Sequence, residues 1–344
     1  MKACVLSQWE HLEMQEQPLP VPGNGQARVR MLYAGVCGSD ITVYLHHHLT
    51  ASIPRILCHE MLGVIEEICS DQPTAFHVGD RVIVFPLRSC GKCDACQAGH
   101  FNVCRNLQIM GLHIDGGFVE QLAVDLDMLI PVPADMPDEV AILSEPFAVG
   151  VHANMRANTK PGDHVFVVGA GPIGIITGVC AKWFGAASVA ISEVQEGRRA
   201  VARKFGLTTV DPINEDPVAI VNGQTDGVGC DVVFEASGSA AGGMVLADTC
   251  KIRGTVVLLG VPAKPVSYQS NKIVLKELSL LGMRVYSRKE FENAIRLLYN
   301  AWKAGEYAFG DLIDGRYTLD ETECAILRQS HGETNGKLLV RMNG

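Results

Sequence analysis

Hydrophobic and polar positions follow different rhythms in the two parts of the chain. Up to about residue 150, short segments with period-two alternation are separated by turns, which is typical of β-strands. Gln26–Tyr33 alternates in this way, and Val78–Val84 enters a strand from a turn. From about His164, apolar runs alternate with helical patterns such as Glu196–Phe205, which predicts a parallel, doubly wound sheet. Its predicted strands are Val165–Val168, Ser188–Ser192, Asp231–Glu235, Thr255–Leu259 and Leu278–Leu281.

The C-terminal part and one uncharged stretch complete the predicted organisation. Phe291–Ala304 predicts an amphipathic helix, and Gly336–Arg341 predicts a strand that returns to the first lobe. Val165–Ala181 carries no charge, but its glycines and Pro172 divide it into strand, turn and helix instead of a membrane span. We therefore predict an α/β protein of two domains. A β-rich catalytic domain spans residues 1–150 and is completed by 288–344, and a Rossmann dinucleotide-binding domain spans 151–287.

The composition argues against some classes of binding partner. The formal net charge of −9 argues against a nucleic-acid or anionic-membrane partner. Twelve cysteines could indicate a secreted disulfide framework, but a 344-residue chain with large cores does not need one. Without a signal peptide, reduced and metal-binding cysteines fit better. We therefore expect a soluble, cytoplasmic protein.

Four cysteines with the spacing C-x2-C-x2-C-x7-C predict a closed metal site. Soft thiolate ligands on all four corners suit a structural zinc ion and leave no position for water. An iron–sulfur cluster is the alternative, but its usual bacterial motif ends in C-x3-C-P, whereas Arg105 follows the last cysteine here. A closed site cannot be the catalyst, so a second, open site is needed. The four cysteines are Cys90, Cys93, Cys96 and Cys104.

The sequence also predicts a nicotinamide dinucleotide site. The strand Val165–Val168 leads into G-x-G-x-x-G, with glycines at 169, 171 and 174, and a helix follows. These glycines permit a tight turn, close approach of a pyrophosphate and close helix packing. The predicted cofactor contacts of this motif are Gly169, Gly171, Pro172, Ile173 and Gly174.

The residue that ends the second strand predicts the choice of cofactor. Glu193 lies nineteen residues beyond Gly174, where a carboxylate accepts hydrogen bonds from ribose hydroxyls and repels a 2′-phosphate. NAD is therefore favoured over NADP. Arg198 and Arg199 argue the other way, because an arginine nearby could bind that phosphate; alternatively, they lie on a solvated helix face.

A second group of metal-ligating residues is spread over three segments. Cys37 lies in Cys-Gly-Ser-Asp after an alternating strand, His59 and Glu60 follow Cys58, and Glu145 precedes a proline. One thiolate, one imidazole and one or two carboxylates make an open zinc site with room for an alcohol oxygen. The alternative is that the histidine is structural and Glu145 only caps a helix.

Together these motifs resemble the zinc-dependent medium-chain dehydrogenase/reductase family, in its sorbitol (polyol) dehydrogenase branch. The resemblance covers nearly the whole chain and implies a GroES-like catalytic domain, a Rossmann domain and two zinc ions per chain. Glu145, where alcohol dehydrogenases have a second cysteine, favours the polyol branch. The motifs are Gly35–Asp40, His59–Glu60, Gly79–Val82, the four-cysteine lobe, Gly116–Phe118, Glu145–Pro146, Gly169–Gly174 and Lys276–Leu278.

The resemblance assigns roles to individual residues. It implies that Cys37 and His59 bind the catalytic zinc, with Glu60 and Glu145 as alternating or water-mediated ligands. Ser39 would begin a proton relay. Two departures are that Thr42 replaces a histidine of the relay and that Cys58, a packing residue in our interpretation, replaces a glycine. His46, His47 and His48 could take over the relay or belong to a solvated loop.

The resemblance predicts an NAD-dependent enzyme that oxidises a secondary hydroxyl group of a polyol or sugar acid and forms a homodimer or homotetramer. The segments Ile109–Phe118 and Gly282–Arg284 resemble bacterial dehydrogenases of L-galactonate or L-idonate. Arg284 is thus a candidate to hold a substrate carboxylate, or else to contact the cofactor or a neighbouring subunit. The alternatives are sorbitol (L-iditol), L-threonine or butanediol dehydrogenases and, in another class, a non-catalytic sensor or structural protein.

Overall fold

The alternating segments and apolar runs become strands in a computed structural model, which describes residues 1–46, 48, 50–262 and 264–342. The chain divides into two compact units. One comprises residues 1–145 and 298–344, and the other comprises residues 146–297. Among the described helices, none is both long and apolar enough to cross a membrane.

The first unit is built on a seven-stranded sheet with the order β10-β6-β5-β3-β18-β17, in which β9 also pairs with β3. A three-stranded sheet (β2-β1-β4) and a two-stranded sheet (β7-β8) complete it. The strands are β1 Lys2–Gln8, β2 His11–Glu16, β3 Gln26–Val36, β4 Arg55–Ile56, β5 Glu60–Cys69, β6 Arg81–Val84, β7 Leu87–Arg88, β8 Gln108–Ile109, β9 Gln121–Asp125, β10 Leu129–Pro131, β17 Ile313–Thr318 and β18 Lys337–Arg341.

Strand β18 ties the C-terminal segment into the middle of this sheet. It pairs antiparallel with β3 and parallel with β17. Leu338, Leu339 and Val340 are fully buried, so apolar burial on both faces stabilises the strand at this central position. The predicted return of Gly336–Arg341 to the first lobe is confirmed.

The second unit is a six-stranded parallel sheet with the order β13-β12-β11-β14-β15-β16. Phe166, Val233 and Val256 from three neighbouring strands are fully buried in its core, as continuous apolar runs predict for a sheet covered on both faces. The predicted doubly wound fold is confirmed. Its strands are β11 His164–Val168, β12 Ser188–Ser192, β13 Thr208–Val210, β14 Cys230–Glu235, β15 Cys250–Leu258 and β16 Ser279–Gly282.

Helices connect the strands of both units. The uncharged stretch Val165–Ala181 forms β11 and the following helix, α5 Pro172–Trp183, as predicted. The helices are α1 Gly38–Tyr44, α2 Asp94–Gln97, α3 Asp138–Ala141, α4 Ser144–Ala157, α5 Pro172–Trp183, α6 Glu196–Lys204, α7 Pro217–Gln224, α8 Ala240–Thr249, α9 Ser270–Leu275, α10 Arg288–Lys303 and α11 Thr322–Ser330. Short 3-10 helices lie at Phe101–Val103, Leu126–Met128, Phe309–Leu312 and Leu319–Glu321.

Candidate functional site

The four cysteines of the C-x2-C-x2-C-x7-C motif converge in the first unit. Their sulfur atoms all lie within 4.8 Å of one another. Cys93 Sγ is 3.5 Å from Cys96 Sγ and 3.9 Å from Cys104 Sγ. A tetrahedron with zinc–sulfur bonds of about 2.3 Å has edges of about 3.8 Å, so this arrangement fits a zinc ion.

Hydrogen bonds from backbone N–H groups lower the pKa of Cys90 and of Cys93 and so favour the thiolate form that a metal requires, whereas burial raises the pKa of Cys96 to about 12. The N–H groups of Cys90 and Asn106 point at Cys104 Sγ, at 3.2 and 3.3 Å. Hydrogen bonds from the N–H groups of Lys92 and Cys93 lower the pKa of Cys90 to about 6. The donor set therefore suits a cation that binds thiolates.

Cys37, His59 and Glu60, which we call the open set, come together where β3 and β5 of the large sheet pair. Cys37 follows β3 directly and occupies the N-cap of α1, while Glu60 is the first residue of β5. In the antiparallel pairing of β3 with β5, Gly35 lies opposite Glu60. This register brings ligand atoms of Cys37, His59 and Glu60 within 4.8 Å of one another.

Asp40 supports this set, and sequence analysis gave it no role. It is fully buried and lies at the third position of α1, where one carboxylate oxygen accepts a hydrogen bond from Cys37 N at 2.8 Å. The other oxygen accepts one from Cys58 N at 3.0 Å and lies 4.0 Å from His59 Nδ1. One carboxylate thus fixes the two segments that carry the cysteine and the histidine. An acidic residue three positions after a helix N-cap is the sequence signal that could have revealed it.

Two polar atoms of this set are unsatisfied in the described part of the chain: Glu60 Oε2, which fits a cation, and His59 Nδ1, which faces Asp40 Oδ1 at 4.0 Å. Within the described residues, His59 Nδ1 and Glu60 Oε2 are buried and have no hydrogen-bond partner, which is costly unless another group binds them. Burial alone would lower the pKa of His59, but the neighbouring Cys37, Asp40 and Glu145 raise it well above its usual value. This concentration of negative charge is what a bound zinc ion would neutralise.

Glu145 and Glu60 do not occupy equivalent positions. Both side chains are buried, and Glu145 lies in the first turn of α4. Among the described residues, however, only Glu60 joins Cys37 and His59 in the compact set of possible ligand atoms. Glu60 thus lies where it could bind a cation together with Cys37 and His59, whereas Glu145 acts on His59 through its charge.

A buried lysine also belongs to this neighbourhood, and sequence analysis missed it. Lys337, the first residue of β18, donates hydrogen bonds from Nζ to Val36 O at 2.8 Å and to Glu60 Oε1 at 2.5 Å. Burial alone would lower the pKa of Lys337, but the Glu60 carboxylate and Cys37 raise it above its usual value. A lysine that begins a strand gives no sequence signal for such a contact, because lysines are almost always exposed.

The residues of the predicted proton relay have different surroundings. Ser39 Oγ is buried and has no hydrogen-bond partner within the described residues, so its hydroxyl is available to a ligand. Thr42 instead donates its hydroxyl proton to Gly38 O at 3.0 Å, within its own helix. His46 stacks on Trp9 with ring centroids 4.0 Å apart. The role of these residues in a relay stays a prediction.

The third histidine of the loop joins a polar cluster. The hydroxyl of Thr50 lies 3.3 Å from His48 Nδ1 and 3.0 Å from His113 Nε2. His113 Nδ1 accepts a hydrogen bond from Ile109 N at 3.0 Å, so its Nε2 carries the proton in the neutral form. His47 lies outside the described residues.

In the second unit, the glycine-rich loop connects β11 with α5. Gly169 has a positive φ of 99°, and Gly171 is the N-cap of α5, with Pro172 and Ile173 as its first residues. A β-carbon at Gly174 would lie 1.9 Å from Gly169 O, so only glycine allows the helix to approach the loop this closely. A β-carbon at Gly171 would meet no other described atom within 4 Å, so there is room for a phosphate group at the N-terminus of α5.

Glu193 follows β12 and faces this loop. Its carboxylate accepts hydrogen bonds from Ala170 N at 2.9 Å and Gln195 N at 3.0 Å, and Arg198 Nη1 lies 3.9 Å from it. Arg199 is buried, not on a solvated helix face. Arg199 donates a hydrogen bond to Glu193 O and forms a salt bridge with Asp211 at 3.0 Å. Its positive charge is therefore neutralised by a carboxylate of the protein itself.

Arg284, the candidate to hold a substrate carboxylate, is exposed in the segment after β16. Its proposed contact with a substrate stays a prediction.

Cys58 has an unusual backbone conformation. It is fully buried, its backbone φ is +84°, and its thiol lies 3.1 Å from Glu60 O. A left-handed backbone favours glycine, so Cys58 is a strained residue next to His59.

Comparisons with known proteins cover both units. The family model of the alcohol dehydrogenase GroES-like domain matches residues 23–134, and that of zinc-binding dehydrogenases matches residues 172–300. The chain is 34% identical to a sorbitol dehydrogenase of Halalkalibacterium halodurans over 99% of both chains. It is 31% identical to an L-galactonate-5-dehydrogenase of Escherichia coli K12 over 87% of both chains.

A solved structure has the same fold. It is a zinc-binding dehydrogenase of Sinorhizobium meliloti 1021 bound to NADP, with 30% sequence identity and a TM-score of 0.90. The alignment covers 99% of this chain and 98% of that chain.

Proposed function

This chain belongs to the zinc-dependent medium-chain dehydrogenase family, in its polyol and sugar-acid branch, and we propose that it oxidises a secondary hydroxyl group of a sugar acid with NAD. The observation that carries the proposal is the compact set of Cys37, His59 and Glu60 beside a separate, closed set of four cysteines. One set can retain an open coordination position, whereas the other cannot.

In the proposed enzyme, Cys37, His59 and Glu60 hold a catalytic zinc ion, and the four cysteines hold a structural one. When bound, the catalytic ion supplies Lewis acidity, which lowers the pKa of a substrate hydroxyl. Asp40 keeps the cysteine and histidine segments in register through its two backbone hydrogen bonds. The arrangement is thus fixed before the substrate arrives, and little reorganisation is needed during the reaction.

Ser39 is the proposed first acceptor of the hydroxyl proton. Its Oγ is buried in the same segment as Cys37, and a hydroxyl group can accept one proton while passing on its own. Oxidation of the alcohol releases one proton from oxygen and one hydride from carbon. The hydride goes to NAD, so the products are a ketone, NADH and a proton.

We favour NAD because the Glu193 carboxylate lies at the end of β12 beside the glycine-rich loop. A negative charge at this position disfavours a 2′-phosphate. The NADP bound by the Sinorhizobium meliloti relative and the arginine beside Glu193 make NADP the competing possibility. The two cofactors must therefore be compared directly.

For the substrate, we favour an aldonate such as L-galactonate or L-idonate. The support is the relative that oxidises L-galactonate and the sequence of the segments 109–118 and 282–284. A neutral polyol is the second candidate, because the sorbitol dehydrogenase relative matches 99% of the chain.

The decisive test is an NADH absorbance assay with matched substrates. Purified protein would be offered L-galactonate, L-idonate, sorbitol, L-threonine and 2,3-butanediol, each with NAD and with NADP. The proposal requires the highest kcat/KM for an aldonate with NAD. Turnover of sorbitol alone would move the enzyme to the neutral-polyol group, and no turnover of any alcohol by zinc-loaded protein would refute dehydrogenase function.

A further inference from the structure

Lys337 is an unusual residue to find fully enclosed in a protein. Its side chain is 4% exposed and donates hydrogen bonds to Val36 O and to the Glu60 carboxylate, which is 1% exposed. Burying an ammonium group without a partner is costly, so such a lysine is normally retained only where it is paired. The strand register makes the contact possible, because β18 pairs with β3 at Leu338 and Val36.

The two oxygens of Glu60 have different environments. Oε1 accepts the hydrogen bond from Lys337 Nζ, whereas the buried Oε2 has no hydrogen-bond partner among the described residues. A β-carbon at Gly35 would lie 2.0 Å from Oε2, so the carboxylate fits here only because residue 35 has no side chain. Glu60 therefore has one oxygen committed to the lysine and one oxygen left for a cation.

Charge explains why a positive side chain is useful at this place. Cys37, Asp40, Glu60 and Glu145 are all acidic groups in the neighbourhood of His59. Lys337 places a positive charge against one of these groups, Glu60, and competes with a bound cation for its carboxylate.

We propose that Lys337 is a positioning residue that restricts Glu60 to a single-oxygen contact with zinc, so that a coordination position stays open for the substrate. This inference rests on the proposed function, because it assumes a zinc ion at Cys37, His59 and Glu60. Lys337 acts through Glu60 and does not touch the reacting alcohol. Without the lysine, Glu60 could offer both oxygens to the metal, and zinc would be held more tightly in a less open site.

The experiment measures zinc affinity by competition with a chromophoric chelator, in full-length wild type and in Lys337→Met. We expect the affinity of the open set to rise on the order of tenfold, because a repelling charge is lost and a second oxygen is gained. The turnover number should fall in the same variant. The zinc of the four cysteines is an internal reference that should not change.

Three further variants separate positioning from packing. Lys337→Arg keeps the charge and should restore an affinity within about threefold of wild type. Lys251→Met removes the lysine paired with Asp231 in the other unit and should leave zinc affinity unchanged. In a Glu60→Gln background, most of the tightening caused by Lys337→Met should disappear, because the two residues act together.

Several results would overturn the inference. Unchanged or weaker zinc binding in Lys337→Met would do so, and so would an equal tightening in the Glu60→Gln background. If the methionine variant does not fold, Lys337→Gln replaces it in the same comparison with wild type, because glutamine keeps a hydrogen-bond donor without the charge. A wild type that binds one zinc ion per chain would instead refute the proposed open zinc site itself.

Discussion

The Glu193 carboxylate accepts a hydrogen bond from the backbone N–H of Ala170, at 2.9 Å. The residue expected to bind the ribose of the cofactor therefore also holds the glycine-rich loop that follows β11. Replacing it has two separable effects, one on the cofactor preference and one on the shape of the loop.

We predict that Glu193→Gln and Glu193→Ala differ in a defined way. The amide oxygen of Gln can still accept the hydrogen bond from Ala170, but the negative charge is gone, so the preference for NAD over NADP should fall on the order of tenfold. The Ala variant should lose preference and also show a higher KM for both cofactors. Steady-state kinetics with NAD and NADP check this. A wild type with the higher kcat/KM for NADP would reverse our assignment and point to Arg198 as a phosphate ligand.

The two metal sites should respond differently to loss of one ligand. Cys93→Ala should mainly impair folding or assembly, because it opens the closed thiolate set, whereas His59→Ala should give a folded protein with little turnover. Metal analysis, circular dichroism and activity together distinguish the outcomes. We expect two zinc ions in wild type and one in His59→Ala. One zinc in wild type, with turnover resistant to strong chelation, would contradict the prediction.

Cys58 allows a test of backbone strain. At an ordinary φ, glycine is less stable than alanine, but at +84° the β-carbon of alanine is disfavoured. We therefore predict that Cys58→Gly is more stable than Cys58→Ala by about 1 kcal/mol in urea denaturation of zinc-loaded protein. Equal stabilities, or a more stable alanine variant, would show that residue 58 carries no strain in solution.

Glu290 should make stability depend on acid pH. Burial alone would raise its pKa, but hydrogen bonds from His152 at 2.9 Å and from Ser287 N at 2.6 Å lower it overall. A lowered carboxyl pKa stabilises the fold above the unfolded-state pKa of about 4.3, and this contribution is lost as the pH falls through the lower folded-state pKa. Glu290→Gln should thus cost about 1 kcal/mol at pH 7.

Denaturation of wild type and Glu290→Gln at several pH values checks this prediction. The difference between the two proteins should shrink as the pH falls from 5 towards 3, because wild-type Glu290 becomes protonated. Exposed Glu277, in the same unit, provides a control variant, Glu277→Gln, for which little change is expected. A difference that stays constant with pH would exclude the charge as its cause.

A variant of Arg284 tests whether the substrate is an aldonate or a neutral polyol. If its guanidinium binds a substrate carboxylate, Arg284→Ala should lower kcat/KM for an aldonate on the order of thirtyfold and leave the matching neutral polyol nearly unchanged. Arg253→Ala, an exposed arginine of the same unit, is the control. Equal losses on both substrates would eliminate the carboxylate contact and favour a role at the cofactor or at a subunit contact.

The sequence predicted those parts of the molecule that depend on local pattern. The strand, turn and helix around Gly169 and the convergence of four closely spaced cysteines need only short-range geometry. Asp40 belongs to the Gly35–Asp40 motif, but its hydrogen bond from Cys58 N depends on how residue 58 folds against it.

The contact of Lys337 with Glu60 could not be predicted from the sequence at all. It lies 277 positions from Glu60, and only the antiparallel pairing of β18 with β3 brings them together. The buried salt bridge of Arg199 likewise depends on Asp211, which follows β13. Hydrophobic periodicity predicts which face of a helix or strand is buried. It does not predict which charged residue from a distant part of the chain will contact that helix or strand.

The insertion of β18 between β3 and β17 also has a consequence for the order of events on the ribosome. Residues 146–297 form a continuous unit that can fold as soon as they have emerged, because domains generally fold as units during synthesis. The large sheet must wait, since its inner strand β18 is synthesised after its other strands. Until residue 341 is available, residues 33–36 of β3 lack the partner strand β18, and the Glu60 carboxylate lacks its lysine. Nascent chains should therefore acquire a folded dinucleotide-binding unit well before they become competent for catalysis.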